Sequence, residues 1–170
     1  MAINYQNAFK EVINTLAEII TNETKLPCYF DTEFENRNAQ YFNLKPIQTS
    51  SVSRFSGGAT REYEIEIRYY LKKGNYGKVT HLDLLTNVGE RITRLFNDKS
   101  NATSVNDLFQ GVLAQFSQSQ DSFADAIAYS FHDGRIESTT YQPDRDESEE
   151  SSELHIVEFE FLAVVTEVYK

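Results

Sequence analysis

The stretch from Arg61 to Leu71, REYEIEIRYYL, alternates between large apolar and charged side chains. Successive side chains of a β-strand point to opposite faces, so this alternation predicts a strand with one buried and one solvated face. The predicted buried face consists of Tyr63, Ile65, Ile67, Tyr69 and Leu71. The predicted solvated face consists of Glu62, Glu64, Glu66 and Arg68. Such a strand requires a layer of packed elements on its apolar side.

A second strand is predicted just before this one. Gly57 and Gly58 tolerate the positive φ angles of a tight reversal, and they follow a Ser/Thr-rich stretch, residues 42–54. Pro46 lies within that stretch, which is typical of an edge strand or a bulge because proline donates no ladder hydrogen bond. Residues 42–71 are therefore predicted to form one long antiparallel hairpin.

Helical periodicity is found in three other segments. Apolar residues recur at three- and four-residue steps within residues 5–20, 82–96 and 105–116. Side chains that can accept a hydrogen bond from the first turn precede each segment. The predicted N-caps are Asn4, Thr80, and the pair Thr103 and Ser104.

The last third of the chain returns to strand patterns. Residues 126–131 and 135–141 are predicted to pair through a turn at His132-Asp133-Gly134, since Asp-Gly between apolar runs is typical of hairpins. Residues 154–168 are predicted to form a final strand that becomes buried on both faces in its second half. Residues 144–153 hold six acids and one arginine, which predicts a solvated loop.

Together these elements predict an α+β fold: an antiparallel sheet with a long β-hairpin and helices packed on one face. A chain of 170 residues fits a single domain. Two features extend the predicted domain, an inserted helical segment at residues 101–122 and the acidic loop at residues 144–153. A short strand is also predicted at residues 28–34.

The charge balance excludes one class of function. Sixteen Lys and Arg against 26 Asp and Glu give a formal net charge of −10. A surface that grips nucleic acid needs a cationic footprint, which this composition does not supply. Cys28 is the single cysteine, so no internal disulfide can form. No secretory signal and no membrane segment are predicted, so a reducing compartment is expected.

No catalytic or metal-binding pattern is found. His81, His132 and His155 fall in three separate predicted elements, whereas a histidine base or ligand needs a partner within hydrogen-bond reach. The acidic loop lacks the glycine and glutamate positions of a helix–loop–helix calcium site, although weak binding of calcium or magnesium stays open. Gly57 and Gly58 lie between strands, which does not fit a phosphate cradle. We therefore expect no enzyme activity and no cofactor.

The order of elements resembles that of the tail terminator proteins of tailed bacteriophages, which complete the tail and join it to the head. The resemblance rests on an N-terminal amphipathic helix, a hairpin ending in YEIEIRYY, a helix, a strand ending in FHDGRI, and a C-terminal strand. It covers residues 1–96 and 126–170. The helical segment 101–122 and the loop 144–153 depart from the compact family pattern.

The resemblance implies a structural virion protein of the phage neck, made in the host cytoplasm. Such a protein forms a ring of six copies that caps the tail tube and offers a face to the head-completion or connector protein. Genome DNA passes through the lumen without specific binding, and an acidic lumen would repel phosphate. The implied partners are thus copies of itself, the tail tube protein and the connector.

The hairpin tip is the candidate subunit interface. A strand pair of this length outruns a small core, so its edge is expected to find a partner elsewhere. Two arginines flank the tip on a strongly acidic chain and would face carboxylates of a neighbour. The candidate interface residues are Arg54, Phe55, Ser56, Gly57, Gly58, Ala59 and Arg61.

Two other classes stay open. A head-closure, tail tube or baseplate subunit would share the α+β and hairpin character. A soluble cytoplasmic binding protein would instead need polar groups that converge in a pocket, and the sequence provides no such set. Size in solution separates these classes. A ring-forming protein should have the mass of about six subunits, either alone or after tail tube is added, whereas a binding protein should not change with tail tube.

Overall fold

The computed structural model describes residues 7–30, 38–118, 127–142 and 154–169. The chain follows an α+β plan, as predicted. Its elements are α1 (Ala8–Thr24), β1 (Cys28–Tyr29), β2 (Gln40–Phe55), β3 (Gly58–Lys72), α2 (His81–Asn97), α3 (Lys99–Gln118), β4 (Ile127–Gln142) and β5 (Leu154–Tyr169). The acidic loop 144–153 and most of the predicted strand 28–34 lie outside the described residues.

The five strands form one sheet in the order β1-β2-β3-β5-β4. Four of them are 15 or 16 residues long and pair antiparallel along nearly their whole lengths. The exception is β1, which pairs parallel to β2, with the Phe42 N–H donating to the Pro27 carbonyl at 2.9 Å. The sheet is therefore mixed, although the antiparallel prediction holds for its long strands.

The alternation predicted on β3 is confirmed. Ile65 and Ile67 are fully buried beneath the helices, and each contributes roughly 1.5–3 kcal/mol relative to an exposed side chain. All three helices pack on this inner face of the sheet. Aromatic pairs join each helix to a strand, among them Phe9–Tyr63 for α1, Phe96–Phe161 for α2 and Phe109–Phe131 for α3. The opposite, outer face carries the glutamates of β3 and has no helix on it in the described part of the chain.

The β2–β3 hairpin is confirmed, but its glycines act differently from the prediction. The turn lies at Ser56 and Gly57, and neither Gly57 nor Gly58 has a positive φ. Gly58 is instead required by crowding, because a Cβ there would overlap the carbonyl oxygen of Glu167 on β5. The close approach of two strands, rather than the turn conformation, explains the second glycine.

The predicted turn at His132-Asp133-Gly134 is wrong. β4 runs unbroken through these residues, with a register shift between Phe131 and Asp133. Gly134 is buried under two aromatic rings, and a Cβ there would lie 2.9 Å from a ring carbon of Phe131 and of Phe161. Packing of the core, not a chain reversal, accounts for this glycine.

The helix termini agree with the sequence in part. Thr80 caps α2 through a capping box with Asp83, as predicted. The cap of α1 is Asn7 rather than Asn4, and its side-chain oxygen accepts from the Lys10 N–H at 3.0 Å. These caps satisfy backbone donors that a helix leaves unpaired in its first turn.

α3 is longer than predicted and belongs to the main helix layer. It begins at Lys99, directly after α2, rather than at the predicted caps Thr103 and Ser104. Val105, Phe109 and Leu113 are buried in the common core. The segment predicted as an insertion therefore completes the core of the domain.

The final strand differs from its prediction at its end. Its inner face is buried from Val157 to Glu167, as shown by Phe161, Ala163 and Val165. On the outer face, Leu162 and Val164 are only half-buried. The predicted burial on both faces is wrong because the described helices cover one side of the sheet only.

Candidate functional site

The seven predicted interface residues lie together at one end of the sheet but differ in exposure. Arg54, Phe55 and Ser56 are exposed, and Phe55 keeps 49% of its surface in solvent. Gly57 and Arg61 are half-buried, and Gly58 and Ala59 are buried within their own chain. Val52, two residues before Arg54, is also exposed. We call Val52, Arg54, Phe55 and Ser56 the hairpin end.

Arg61 is paired within its own chain. Its Nε lies 2.9 Å from Oε2 of Glu167, a β5 residue that is only 7% exposed. The same carboxylate adjoins two buried tyrosines on the inner face. Burial raises the pKa of Tyr63 and raises that of Tyr129 to about 12, and the charge of Glu167 adds to both shifts. Arg61 thus balances a buried charge of its own chain.

Arg54 is distinct among the arginines. Six arginines lie in the described ranges, and five of them make an ion pair with a carboxylate of this chain: Arg61, Arg68, Arg91, Arg94 and Arg135. Arg54 makes none, and it lies beside two exposed apolar side chains, Val52 and Phe55. Arginine next to an exposed aromatic ring is the composition of an interface anchor.

One edge of the sheet is closed by side chains. Asn97 of α2 donates to the Ile136 carbonyl at 2.8 Å and accepts from the Ile136 N–H at 2.8 Å. Gln110 of α3 accepts from the Phe131 N–H at 2.7 Å. These amides take up backbone groups of β4 that a further strand would need. The sequence did not predict this arrangement, because nothing local links Asn97 to residues so far along the chain.

The opposite edge is irregular rather than covered. Within the described residues, β1 pairs only with Phe42 and Asn43, so residues 45–55 of β2 have no strand beside them. Register shifts follow Pro46 and Ser51. Proline and bulges at a sheet edge disfavour the addition of another strand. Pro46 thus lies in an edge strand with a bulge, as predicted.

The outer face holds a shallow groove rich in carboxylates. Four glutamates line it together with Ser138 and Thr140, around a cavity of about 250 Å³: Glu64, Glu66, Glu158 and Glu160. The register places Glu66 directly opposite Glu160, although like charges in that position repel. Arg68 lies 2.9 Å from Glu66 and 3.2 Å from Glu158, and the register places a second cation, Lys45 of β2, opposite Glu66. We call this the carboxylate groove.

The histidines are placed differently from the prediction. The rings of His81 and His155 are close, with centroids 4.9 Å apart, although their elements are distant in sequence. His81 Nε2 accepts from the Gly74 N–H at 3.3 Å. His132 contacts Thr166 at 2.7 Å, while the neighbouring Asp133 pairs with Arg135. Among the described residues, no group of three His, Cys, Asp or Glu side chains is arranged to hold a metal ion.

Comparison with protein-family models gave no match, and comparison with curated proteins gave none either. In the described ranges, none of the helices combines the length and hydropathy that crossing a bilayer requires. The arrangement therefore has to be interpreted from its own chemistry. It comprises an exposed hairpin end with an unpaired arginine, two protected sheet edges, and an acidic groove on an uncovered sheet face.

Proposed function

We propose that this protein is a structural subunit of a tailed-bacteriophage neck, a tail terminator that forms a ring. The ring would cap the tail tube and join it to the head connector. The observation that carries this proposal is the order of elements: α1, a hairpin of strands 16 and 15 residues long, helices, and two further long strands. This order is the basis of the resemblance to tail terminators.

The surface chemistry supports a role in assembly more than one in catalysis. The hairpin end exposes an unpaired arginine beside Val52 and Phe55, which fits a contact with another protein. The recess on the outer face is shallow and acidic, and Ile47 and Phe159 are its apolar lining, whereas small-ligand sites are lined mostly by apolar side chains. A net charge of −10 would also let DNA pass through a lumen without adhering.

The test measures assembly and then attachment. The purified protein should have the mass of six subunits by light scattering, either alone or after addition of tail tube. Virions made without it should yield heads unattached to overlong tails in electron micrographs. A stable monomer that tail tube does not change, with normal virions in its absence, contradicts the proposal.

The same micrographs separate the related virion parts. Loss of a tail tube subunit would remove tails, and loss of a baseplate subunit would leave attached tails with defective distal ends. Loss of a head-closure subunit would leave tails of normal length. Only overlong, unattached tails fit a terminator, because that subunit stops tube growth and provides the joint.

A further inference from the structure

We propose that the hairpin end of one copy docks, through Arg54, in the carboxylate groove on the outer sheet face of a second copy. The inference rests on the proposed ring and names the two surfaces that would form its subunit contact. The occupant of the uncovered sheet face is therefore a second copy of this chain.

The donor surface is the hairpin end. Arg54 is the arginine in the described residues that has no carboxylate partner in its own chain. Phe55 keeps 49% and Val52 keeps 56% of its surface in solvent. A planar guanidinium pairs bidentately with carboxylates, and the exposed apolar side chains of the same hairpin end would add buried apolar area.

The acceptor surface is the carboxylate groove. Its four glutamates lie beside two cations, Arg68 and Lys45, so carboxylates outnumber cations two to one among these described residues. Glu160 is the most exposed of them, and it accepts a hydrogen bond from Ser138 at 3.1 Å. A further arginine would relieve the repulsion between Glu66 and Glu160, which face each other across β3 and β5.

The two surfaces cannot meet within one copy. Arg54 pairs across the turn with Ala59, which is five to seven residues from Glu64 and Glu66 along β3. At about 3.3 Å per residue, that separation is roughly 20 Å. Ala59 also shares the inner face with Tyr63, whereas the groove opens on the outer face. Arg54 can therefore reach such a groove only on another copy.

Arg54 and the carboxylate groove lie on opposite faces of the sheet, and this limits how two copies can be arranged. Stacking two copies by their outer faces would leave both Arg54 side chains directed away from both grooves. A head-to-tail contact, in which the hairpin end of each copy enters the groove of the next, has no such conflict. Head-to-tail contacts between different patches close into rings when the rotation between copies allows it.

The sheet edges favour this contact over a continuous sheet. Asn97 and Gln110 occupy backbone groups of β4, and the proline and bulges interrupt β2. Neither edge offers the regular row of free donors and acceptors that strand addition requires. A contact between copies would therefore be made by side chains of the hairpin end and the groove, and not by pairing of strands.

Cross-linking between two introduced cysteines tests the contact. A variant carrying Arg54→Cys is mixed with one carrying Glu160→Cys, and a short bifunctional maleimide is added. Both positions are exposed, so neither change disturbs the core. The wild-type chain is the background control, because burial raises the pKa of the Cys28 thiol and slows its reaction. In the matched control, Arg94→Cys takes the place of Arg54→Cys in the mixture, because Arg94 is an exposed arginine of α2.

The expected result is a covalent dimer in the Arg54→Cys and Glu160→Cys mixture and none with Arg94→Cys. The double variant should give a ladder that ends at six subunits. A charge swap gives a second measure: Arg54→Glu should weaken self-association about tenfold or more, and adding Glu160→Arg should restore it. Circular dichroism confirms that each variant is folded.

The outcomes separate this contact from the proposed function. Rings of six subunits without the cross-link overturn the contact and leave the terminator proposal intact. A ladder that continues past six supports the contact and contradicts the closed ring. Cross-linking of Arg54→Cys to itself, or equally of Arg94→Cys to Glu160→Cys, overturns the contact. Failure of the charge swap to restore association also counts against it.

Discussion

Asn97 pairs with both backbone polar groups of Ile136, donating to the carbonyl and accepting from the N–H, each at 2.8 Å. The two residues are 39 positions apart, and this amide joins α2 to the edge strand β4 together with a hydrogen bond between Thr93 and Thr139 at 2.9 Å. Ile136 is buried, so loss of the Asn97 amide would leave its backbone groups without this partner and would lower the stability of the fold. The bond pair both anchors the helix and closes the β4 edge.

Asn97→Ala should therefore lower the free energy of unfolding by about 1–3 kcal/mol, since it leaves a buried donor and acceptor unpaired. Denaturant titration measures the loss, and the Ile136 amide should exchange faster with solvent. Asn101→Ala is the control, because this asparagine is exposed in the first turn of α3 and its side chain makes no hydrogen bond within the described residues. Equal losses for the two variants would contradict the anchoring role.

Gly58→Ala should destabilise the domain by about 1–3 kcal/mol or more, because its Cβ would overlap the Glu167 carbonyl oxygen. Gly57→Ala should change stability by less than about 0.5 kcal/mol, as no atom lies within 4 Å of the added Cβ. Thermal unfolding of the two variants gives the comparison. The opposite order would mean that the turn conformation, rather than strand packing, selects glycine here.

Ile67→Asp should destabilise by several kcal/mol, an amount on the order of the whole stability of a small domain, because it buries an unpaired charge. Glu62→Lys, five residues earlier on the outer face, should change the unfolding free energy only slightly. Soluble yield and urea unfolding check both variants. Normal folding of the aspartate variant would refute the assignment of the inner face.

Stability should fall at alkaline pH through the buried tyrosines. Burial and the nearby charge of Glu167 raise the pKa of Tyr129 from 10.0 to about 12. The folded state therefore holds this proton more tightly than the unfolded chain does. The stabilisation is complete below about pH 10 and is lost as the pH rises towards 12.

Tyr129→Phe should make that alkaline loss shallower, because the variant has one fewer proton to release on unfolding. Urea unfolding at a series of pH values from about 8 to about 11.5 measures how steeply the free energy of unfolding falls with pH. Unfolding at neutral pH is the reference. Absorbance of tyrosinate follows the titration directly. An identical slope in the variant would show that Tyr129 does not contribute to this loss.

Local patterns predicted the elements whose own residues fix their state. The strict alternation from Tyr63 to Leu71 admits only one strand orientation once a core forms, and β3 has that orientation. The stripe in α2 and its cap at Thr80 were predictable for the same reason. In each case, neighbours in sequence satisfy the donors or share the buried face.

The Asp133-Gly134 dipeptide shows where local patterns fail. The same two residues suit a hairpin turn or a bulged strand, and only the position of the Phe131 and Phe161 rings selects the strand. Gly58 is a similar case, since the Glu167 carbonyl that requires it comes from a strand 109 positions later. Contacts from distant parts of the chain decided both.

The candidate site divides in the same way. The sequence by itself placed Arg54 and Phe55 at an exposed hairpin end, because a turn between two amphipathic strands must lie at the surface. It could not pair Arg61 with Glu167 or assemble four glutamates into a groove. Those arrangements depend on the β3–β5 register, which a one-residue slip would destroy. Periodicity along one strand sets which face a side chain takes, and only the tertiary structure sets which side chains from other strands lie beside it.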